Sequence, residues 1–509
     1  MRNKISKKIY QYNLILFFIF ITACQPKEVG NVCDVENKDF LTNLLVTANI
    51  PGKNLHCGNL VSTFPPFGYK SISFNFFQNI PVNLEPIHYQ EASYGIFPPL
   101  PSGLSLDPFT GKISGVPTSP LERTNFTVYK SGNGSGIVNL SIRIGSDTAF
   151  QVYGQYGSFT CGLAYNDGTC VSASPNAENF SNPVFAIEDS FTQNIYITAF
   201  NRILTYSPGS TVAEGVLGQN GYLNCDIGNT DGAGGCGLGY ASAIGFNQPK
   251  YFGLNANGIY VADSGNTRVL HIPRSSLIAD RVYGQVDFSS VAGGTVAQNN
   301  LQTPFGIVMD TVSEGFYLSD NGQNRILYFP KDSSLPSRVI GQPDFDSDGA
   351  GSTQTNINTP RGLAVDDIGG LYVSDTGNNW VLYFPPGSTS ATRVYGQLSF
   401  TTTTGLATAS NLDAPQSIAL DPMGNLYVAD HNNNRVVVFP KTEQTAGISA
   451  VGVFGHYGSF SCGVDNDDGV CGSGAYPNAR TLYRPTGVSI TKDGNLMVSD
   501  NSNHRVLVF

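Results

Sequence analysis

The sequence is short of charge. Only 13% of its 509 residues are Asp, Glu, Lys or Arg, about half the share of an ordinary globular chain. Basic residues are the scarcer sign, 28 against 38 acidic ones, giving a formal charge of −10. Binding to a phosphate backbone needs clustered Lys and Arg, so nucleic acid is not the expected partner. Long apolar runs are also missing. The run from Leu14 to Ile21 falls well short of the ~20 residues that span a bilayer. No Cys-x-x-Cys pair with a nearby His pair occurs, which argues against zinc. There are six histidines in all. His431, His456 and His504 could share one face, but their positions within the turns do not correspond. No nucleophile lies at a meaningful spacing from a base. These absences favour a non-enzyme, with no catalytic residue assigned.

The N-terminus carries Arg2, Lys4, Lys7 and Lys8 ahead of that short apolar run. A basic segment followed by a short apolar one is a secretory signal. Ile21-Thr22-Ala23-Cys24 resembles a bacterial lipobox. That resemblance implies cleavage before Cys24 and a diacylglycerol on its thiol. The expected location is then the exported side of a bacterial envelope membrane, held by lipid. Losing the four basic residues takes the formal charge from −10 to about −14. Nine cysteines are present, and setting Cys24 aside leaves an even eight. They are Cys33, Cys57, Cys161, Cys170, Cys225, Cys236, Cys462 and Cys471. An even set in an exported chain reads as disulfides. Three pairs are local, and Cys33 with Cys57 makes a fourth.

Most of the chain is a repeat. Gly154-Gln155, Gly218-Gln219, Gly284-Gln285, Gly341-Gln342, Gly396-Gln397 and Gly455-His456 each close a short apolar strand. Pro183, Pro249, Pro304, Pro360, Pro415 and Pro485 each open the next unit, at spacings of 66, 55, 56, 55 and 70 residues. Between them, runs rich in Val, Ile and Tyr are bounded by Gly, Asn and Asp. These are strand signals, four to a unit, and four strands repeated radially make a propeller blade. The final unit has three strands, ending at Phe509, and Phe150 to Gln155 is expected to supply its fourth. The units resemble NHL repeats. The matching pairs are Asp263 and Arg268, Asp320 and Arg325, Asp430 and Arg435, and Asp500 and Arg505. Unit four has Asp375 but Trp380 in place of Arg, and unit one reads Phe200-Asn201-Arg202 without the Asp. The resemblance implies a six-bladed NHL-type β-propeller over 146–509. The Asp and Arg positions are expected to be structural ties.

Leu100 to Thr118 resembles the signature of bacterial immunoglobulin-like domains. Asp107-Pro108-Phe109-Thr110-Gly111 is turn chemistry between two strands, and Val138 to Ile144 alternates as a last strand. The full expectation is all-β, with a signal at 1–23, a lipid-anchored spacer at 24–65, a small Ig-like β-sandwich at 66–145 and the propeller beyond.

Links between units come in two lengths. Three run 18 or 19 residues, and three run 28, 30 and 29. The long ones hold the three local Cys pairs and join consecutive units around the ring seam. They are expected to form a braced wall on one face, and rigid loops on a rigid scaffold are where binding usually resides. The candidate contacts are Tyr156, Asn166, Asp167, Tyr222, Asp231, Tyr457, Asp465, Asp467 and Asp468. These residues suit a glycan or a protein surface. No cofactor is required. Calcium, which takes carboxylate and carbonyl oxygens, is the one metal the pattern admits, at Asp344, Asp346 and Asp348 or at Asp465, Asp467 and Asp468. The reading is therefore a lipid-anchored envelope protein whose propeller binds a protein or glycan partner. The alternatives are a propeller hydrolase or lyase and a structural lipoprotein. Cells expressing the chain should incorporate labelled palmitate into it, and Cys24→Ser should abolish the label. Equal labelling of both forms would remove the anchor.

Overall fold

The computed structural model describes residues 67–509, leaving aside 88–91, 132–135, 231–235, 238, 292, 294, 311, 473 and 475. Cys24, Cys33, Cys57 and Asp231 lie outside the described residues. Those described are all-β, with helical content limited to single three-residue turns. Among them no helix is long and apolar enough to cross a membrane.

The first unit has two sheets. In the larger, Ser73–Phe77 pairs in parallel with Gly136–Gly145, which pairs with Leu121–Ser131, which pairs with Ser93–Phe97. The smaller runs Val82–Leu84, Ile113–Gly115, Leu104–Leu106. Strand alternation sends Phe74, Phe76, Phe126, Val128, Leu140 and Ile142 into one core between them. Asp107 makes the predicted turn, its Oδ1 accepting the Phe109 and Thr110 amides.

Six four-stranded antiparallel sheets follow. They are numbered here by their opening strands: Pro183–Glu188, Pro249–Leu254, Pro304–Met309, Pro360–Val365, Pro415–Leu420 and Pro485–Ile490. The sixth takes its outer strand from earlier in the chain, as expected: Gln151–Tyr153 pairs with Arg505–Val508. Each sheet packs on the next through its own apolar cluster, and the sixth packs on the first. There Met497, Val506 and Val508 meet Ile197, Leu204 and Tyr206. The opening proline fits because the first residue of a strand can spare its N–H.

The Gly-Gln signature has a steric and a polar half. Each of these glycines has positive φ, from 76° at Gly154 to 105° at Gly455. A Cβ at Gly218 would lie 2.2 Å from the Phe246 ring, and one at Gly396 would lie 2.4 Å from Leu412. The glutamine amide then donates to carbonyls of the neighbouring turn and link, as Gln219 does to Asn201 and Ile227 at 2.9 Å each. His456 replaces it with Nε2 donating to the Asn433 carbonyl at 2.8 Å.

The Asp and Arg positions form a buried clamp. Arg268 Nε donates to Asp263 Oδ2 at 2.7 Å. Its Nη2 reaches the Ser242 and Gly245 carbonyls of the preceding link, and its Nη1 reaches the Phe288 carbonyl of the following one. Asp263 Oδ1 accepts the Asn247 amide. One ion pair thus pins two links to one sheet. Arg325, Arg435 and Arg505 repeat it with both partners fully buried. Sheet four substitutes the Trp380 indole N–H, which donates to Asp375 Oδ2. With no cation beside it, burial pushes the Asp375 carboxyl up to about 7.

Arg435→Ala should cost about 3–5 kcal/mol, because a buried carboxylate and three carbonyls lose their partner. Chemical denaturation would measure it, and a loss under 1 kcal/mol would show the clamp to be dispensable. Trp380 is the single tryptophan, so its fluorescence should titrate with Asp375, with a midpoint near pH 7 that vanishes in Asp375→Asn. The native state holds this proton more tightly than the unfolded one. The contribution of Asp375 to stability should therefore fall as pH rises from about 4 to about 7.

Candidate functional site

The end of each sheet where the proline pairs with the last residue of strand two, as Pro249 pairs with Asp263, also carries the turn between strands two and three and the links between sheets. Adjacent sheets are fastened there. Asn201, Asn324, Asn379 and Asn434 each accept, through Oδ1, the amide of the residue before the next proline, at 2.8–2.9 Å. His504 Nδ1 does the same for Asn182 at 3.0 Å, across the sixth-to-first junction. A second set of turn side chains reaches the proline carbonyls, with Thr376 to Pro415 at 2.6 Å and Asn501 to Pro183 at 3.0 Å. The Asn-rich turns are therefore largely spent on joining sheets.

The three long links lie on this end. Their cysteines are joined as Cys161–Cys170, Cys225–Cys236 and Cys462–Cys471, with Cα atoms 5.6, 5.3 and 5.6 Å apart. The first and third loops share one design. Asn166 Oδ1 accepts the amides of Gly168 and Cys170, and Asp467 Oδ1 accepts those of Gly469 and Cys471. The loops also touch one another. The Tyr165 hydroxyl donates to Asp226 beside Cys225, and Gly162 lies against Pro477 of the third link. The first unit docks on sheets five and six: Asn75 Nδ2 donates to Asn495 Oδ1 and the Phe509 carbonyl, Arg123 donates to the Asp493 carbonyl, and the Phe77 ring meets Phe454 at 4.9 Å. It borders the loop face at the third link, where Phe77 to Ile80 share a cleft with Tyr457, Gly458 and Arg480.

The candidate contacts divide. Asn166 and Asp467 are turned inward at 1% exposure and serve their own loops. Tyr156, Asp167, Tyr222 and Asp468 are exposed, and Tyr457 and Asp465 are half-buried. The Tyr156 and Tyr457 hydroxyls accept from Asn176 and Asn478. What the sequence reading passed over is apolar. Leu163, Val171, Tyr240, Val470 and Tyr476 stand out on these links, Tyr240 and Tyr476 at 91% and 86% exposure. An aromatic or aliphatic residue within a Gly- and Cys-rich loop was the available signal. Asp226 was also passed over. Unit one lacks the strand-two Asp; Asp226 of the second disulfide loop lies near Arg202 and its Oδ1 accepts the Asn201 amide at 2.9 Å, but Arg202 Nε is buried without a partner.

The candidate metal residues are placed as follows. Asp344, Asp346 and Asp348 are exposed, and Asp344 Oδ1 accepts the Asp346 amide and the Ser347 hydroxyl. Asp468 Oδ1 accepts the Val470 and Gly472 amides. His456, Cys462 and Asp467 bring their ligand atoms within 4.8 Å of one another, but the Cys462 sulfur is committed to its disulfide. The three histidines serve separate junctions. His431 faces the Pro485 carbonyl at 3.2 Å, and burial pulls its pKa down to about 4. Burial lowers His456 and His504 as well.

Residues 412–439 and 482–509 match the model of the NHL repeat, and residues 80–145 match that of the "Putative Ig domain". Human Teneurin-1 is 32% identical over 148 residues, 25% of this chain and 5% of the relative. SUPPRESSOR OF QUENCHING 1 of Arabidopsis thaliana is 22% identical over 276 residues, 51% of this chain and 24% of the relative. The chain thus spans a quarter or less of these relatives. Among solved structures, an auxiliary nutrient binding protein from Bacteroides ovatus is similar with TM-score 0.45 and 11% identity, covering 87% of this chain and 97% of that one. A streptogramin B lyase has TM-score 0.39 and 12% identity, covering 66% and 94%. The chain carries NHL repeats on an all-β propeller fold, preceded by an Ig-like domain.

Proposed function

We propose that this is a lipid-anchored protein of the bacterial cell envelope, in which an Ig-like stalk presents a six-bladed NHL-type propeller that captures a protein or glycan partner on its disulfide-loop face. The observation that carries the reading is the contact between the three disulfide loops, Tyr165 to Asp226 and Gly162 to Pro477. These contacts make one continuous surface at the seam of the six sheets. Cross-links and capped turns hold it, so little ordering entropy is lost when a partner docks. Exposed Tyr240, Val470 and Tyr476 give it apolar contact area beside carboxylates and amides. Tyrosine on such a surface stacks on sugar rings or packs against protein at low entropic cost. The first unit docks on sheets five and six, where it borders the third loop near Tyr457. The sheet axis carries Lys250, Tyr251 and Arg361 rather than a set of carboxylates, which favours binding over metal-assisted hydrolysis or elimination.

The test uses the mature chain made soluble by Cys24→Ser, with its disulfides formed. It is screened against arrayed glycans and envelope and host proteins, with calcium or with a chelator. A partner should be found, and Tyr240→Ala with Tyr476→Ala should weaken it at least tenfold while leaving Tm unchanged. Full affinity in that variant, or no partner in either condition, would overturn the loop face as the binding site.

A further inference from the structure

The axis of the six sheets holds an arrangement that the clamp, the junctions and the loops do not use. Every innermost strand is irregular at the same place. In all six sheets the pairing register shifts immediately after the opening proline. Such bulges re-aim side chains. Here they fall at the loop-face end and present Lys250 and Tyr251, Phe305, Arg361, Gln416 and Ser417, and Thr486 where the sheets converge. In three sheets the next position is glycine, as close approach requires. A Cβ at Gly306 would lie 2.0 Å from the Arg361 carbonyl, one at Gly362 would lie 2.5 Å from the Gln416 carbonyl, and one at Gly487 would lie 2.6 Å from the Val184 carbonyl. Sheets one, two and five place Phe185, Tyr251 and Ser417 there.

Tyr251 fills the centre. Its ring stacks on Phe185 at 4.5 Å and meets Phe305 at 5.3 Å. Its hydroxyl crosses to the sixth sheet and donates to the Thr486 carbonyl at 2.5 Å. Two cations sit against this plug. The Arg361 guanidinium lies over the Phe305 ring at 4.9 Å, and its Nε is buried without a hydrogen-bond partner. Lys250 is half-buried. Burial first, and the Arg361 charge second, holds its amine below the usual lysine range. No carboxylate figures among the influences on either group, and among the described residues neither makes an ion pair. The other titratable groups nearby are the Tyr251 phenol, which feels Arg361, and the His431 imidazole, which burial holds down and which feels both Arg361 and Arg484. Its one acidic neighbour, Asp413, is engaged by Asn432 Nδ2 at 2.9 Å.

Two partly buried, unpaired cations beside each other oppose folding unless something offsets them. In a chain this poor in basic residues, their convergence at one end of the axis calls for a counter-charge. We propose that the axial mouth on the loop face is an anion subsite, where Lys250 and Arg361 receive a carboxylate, sulfate or phosphate group of the ligand. This inference rests on the loop face being the binding face and assigns the ligand an acidic group. Arg361 would take two of its oxygens through the guanidinium fork, and Lys250 would act as a point charge beside them.

The probes are glucuronate, inorganic sulfate and inorganic phosphate, with glucose as the neutral control. They are titrated into the full mature chain carrying Cys24→Ser, at fixed ionic strength in chloride, and followed by NMR of the lysine ε-carbons. At least one anion should bind saturably, glucose should not, and the tightest anion identifies the source of the charge. Lys250→Gln and Arg361→Gln should each weaken it at least tenfold. In the unaltered protein the Lys250 amine should titrate at higher pH once the anion is bound. This readout does not depend on how a variant folds. Equal affinity in the variants, shifts that follow ionic strength without saturating, or an unmoved Lys250 titration would overturn the proposal. Anion binding without any macromolecular partner would leave the subsite standing and remove the loop-face reading. A partner bound without an anion effect would do the reverse.

Discussion

The buried Asp–Arg pair at the end of strands two and three is the constraint on which the rest depends. Each guanidinium spends its donors on one carboxylate and on carbonyls from the two flanking links. A link between sheets is otherwise a long stretch of backbone with no ladder to join. Pinning it from both sides fixes where the next proline starts and therefore how the next sheet packs. The desolvation cost of the pair is offset because nearly every polar atom is engaged. Where the pair changes, the structure compensates. Trp380 supplies one N–H and leaves Asp375 without a cation, and Asp226 from a disulfide loop accepts the Asn201 amide near Arg202, whose Nε stays unpaired.

That second compensation joins fold to function. The disulfide loop after sheet one is part of the clamp of sheet one, and Tyr165 of the preceding loop closes on the same carboxylate. The Arg202 Nη donors end on carbonyls from both loops, Leu223 on one side and Asn176 and Asn179 on the other. The loops are therefore held by the same chemistry that holds the sheets. A surface built this way keeps its shape, and its exposed tyrosines and valines are presented by a frame that cannot collapse over them. The axis adds a different element to the same end: two cations against an aromatic plug.

Much of the architecture was legible because it is periodic. Gly-Gln and Pro mark strand ends for steric reasons that recur six times, and the outer strand from Gln151–Tyr153 followed from counting strands. The local cysteine pairs were legible because partners only nine or eleven positions apart leave little choice. The site was less legible. Asn166 and Asp467 have the residue types of ligand contacts and are consumed by capping their own loops. The Asn-rich turns look like open polar surface and are the fasteners between sheets. Composition cannot separate an amide that faces solvent from one that accepts a neighbouring backbone N–H.

The sequence by itself determined the repeat, the strands in each unit, the cysteine pairs of the loops and the Ig-like segment ahead of them. All of these depend on local spacing, turn chemistry and alternation, which are properties of short stretches of chain. Only the tertiary structure decided which polar groups are spent. It set Asp226 against Arg202, His504 across the sixth-to-first junction, and Lys250 beside Arg361, pairs separated by 24, 322 and 111 residues along the chain. The last two encounters exist because sheets far apart in the chain converge, and no short stretch of sequence encodes them.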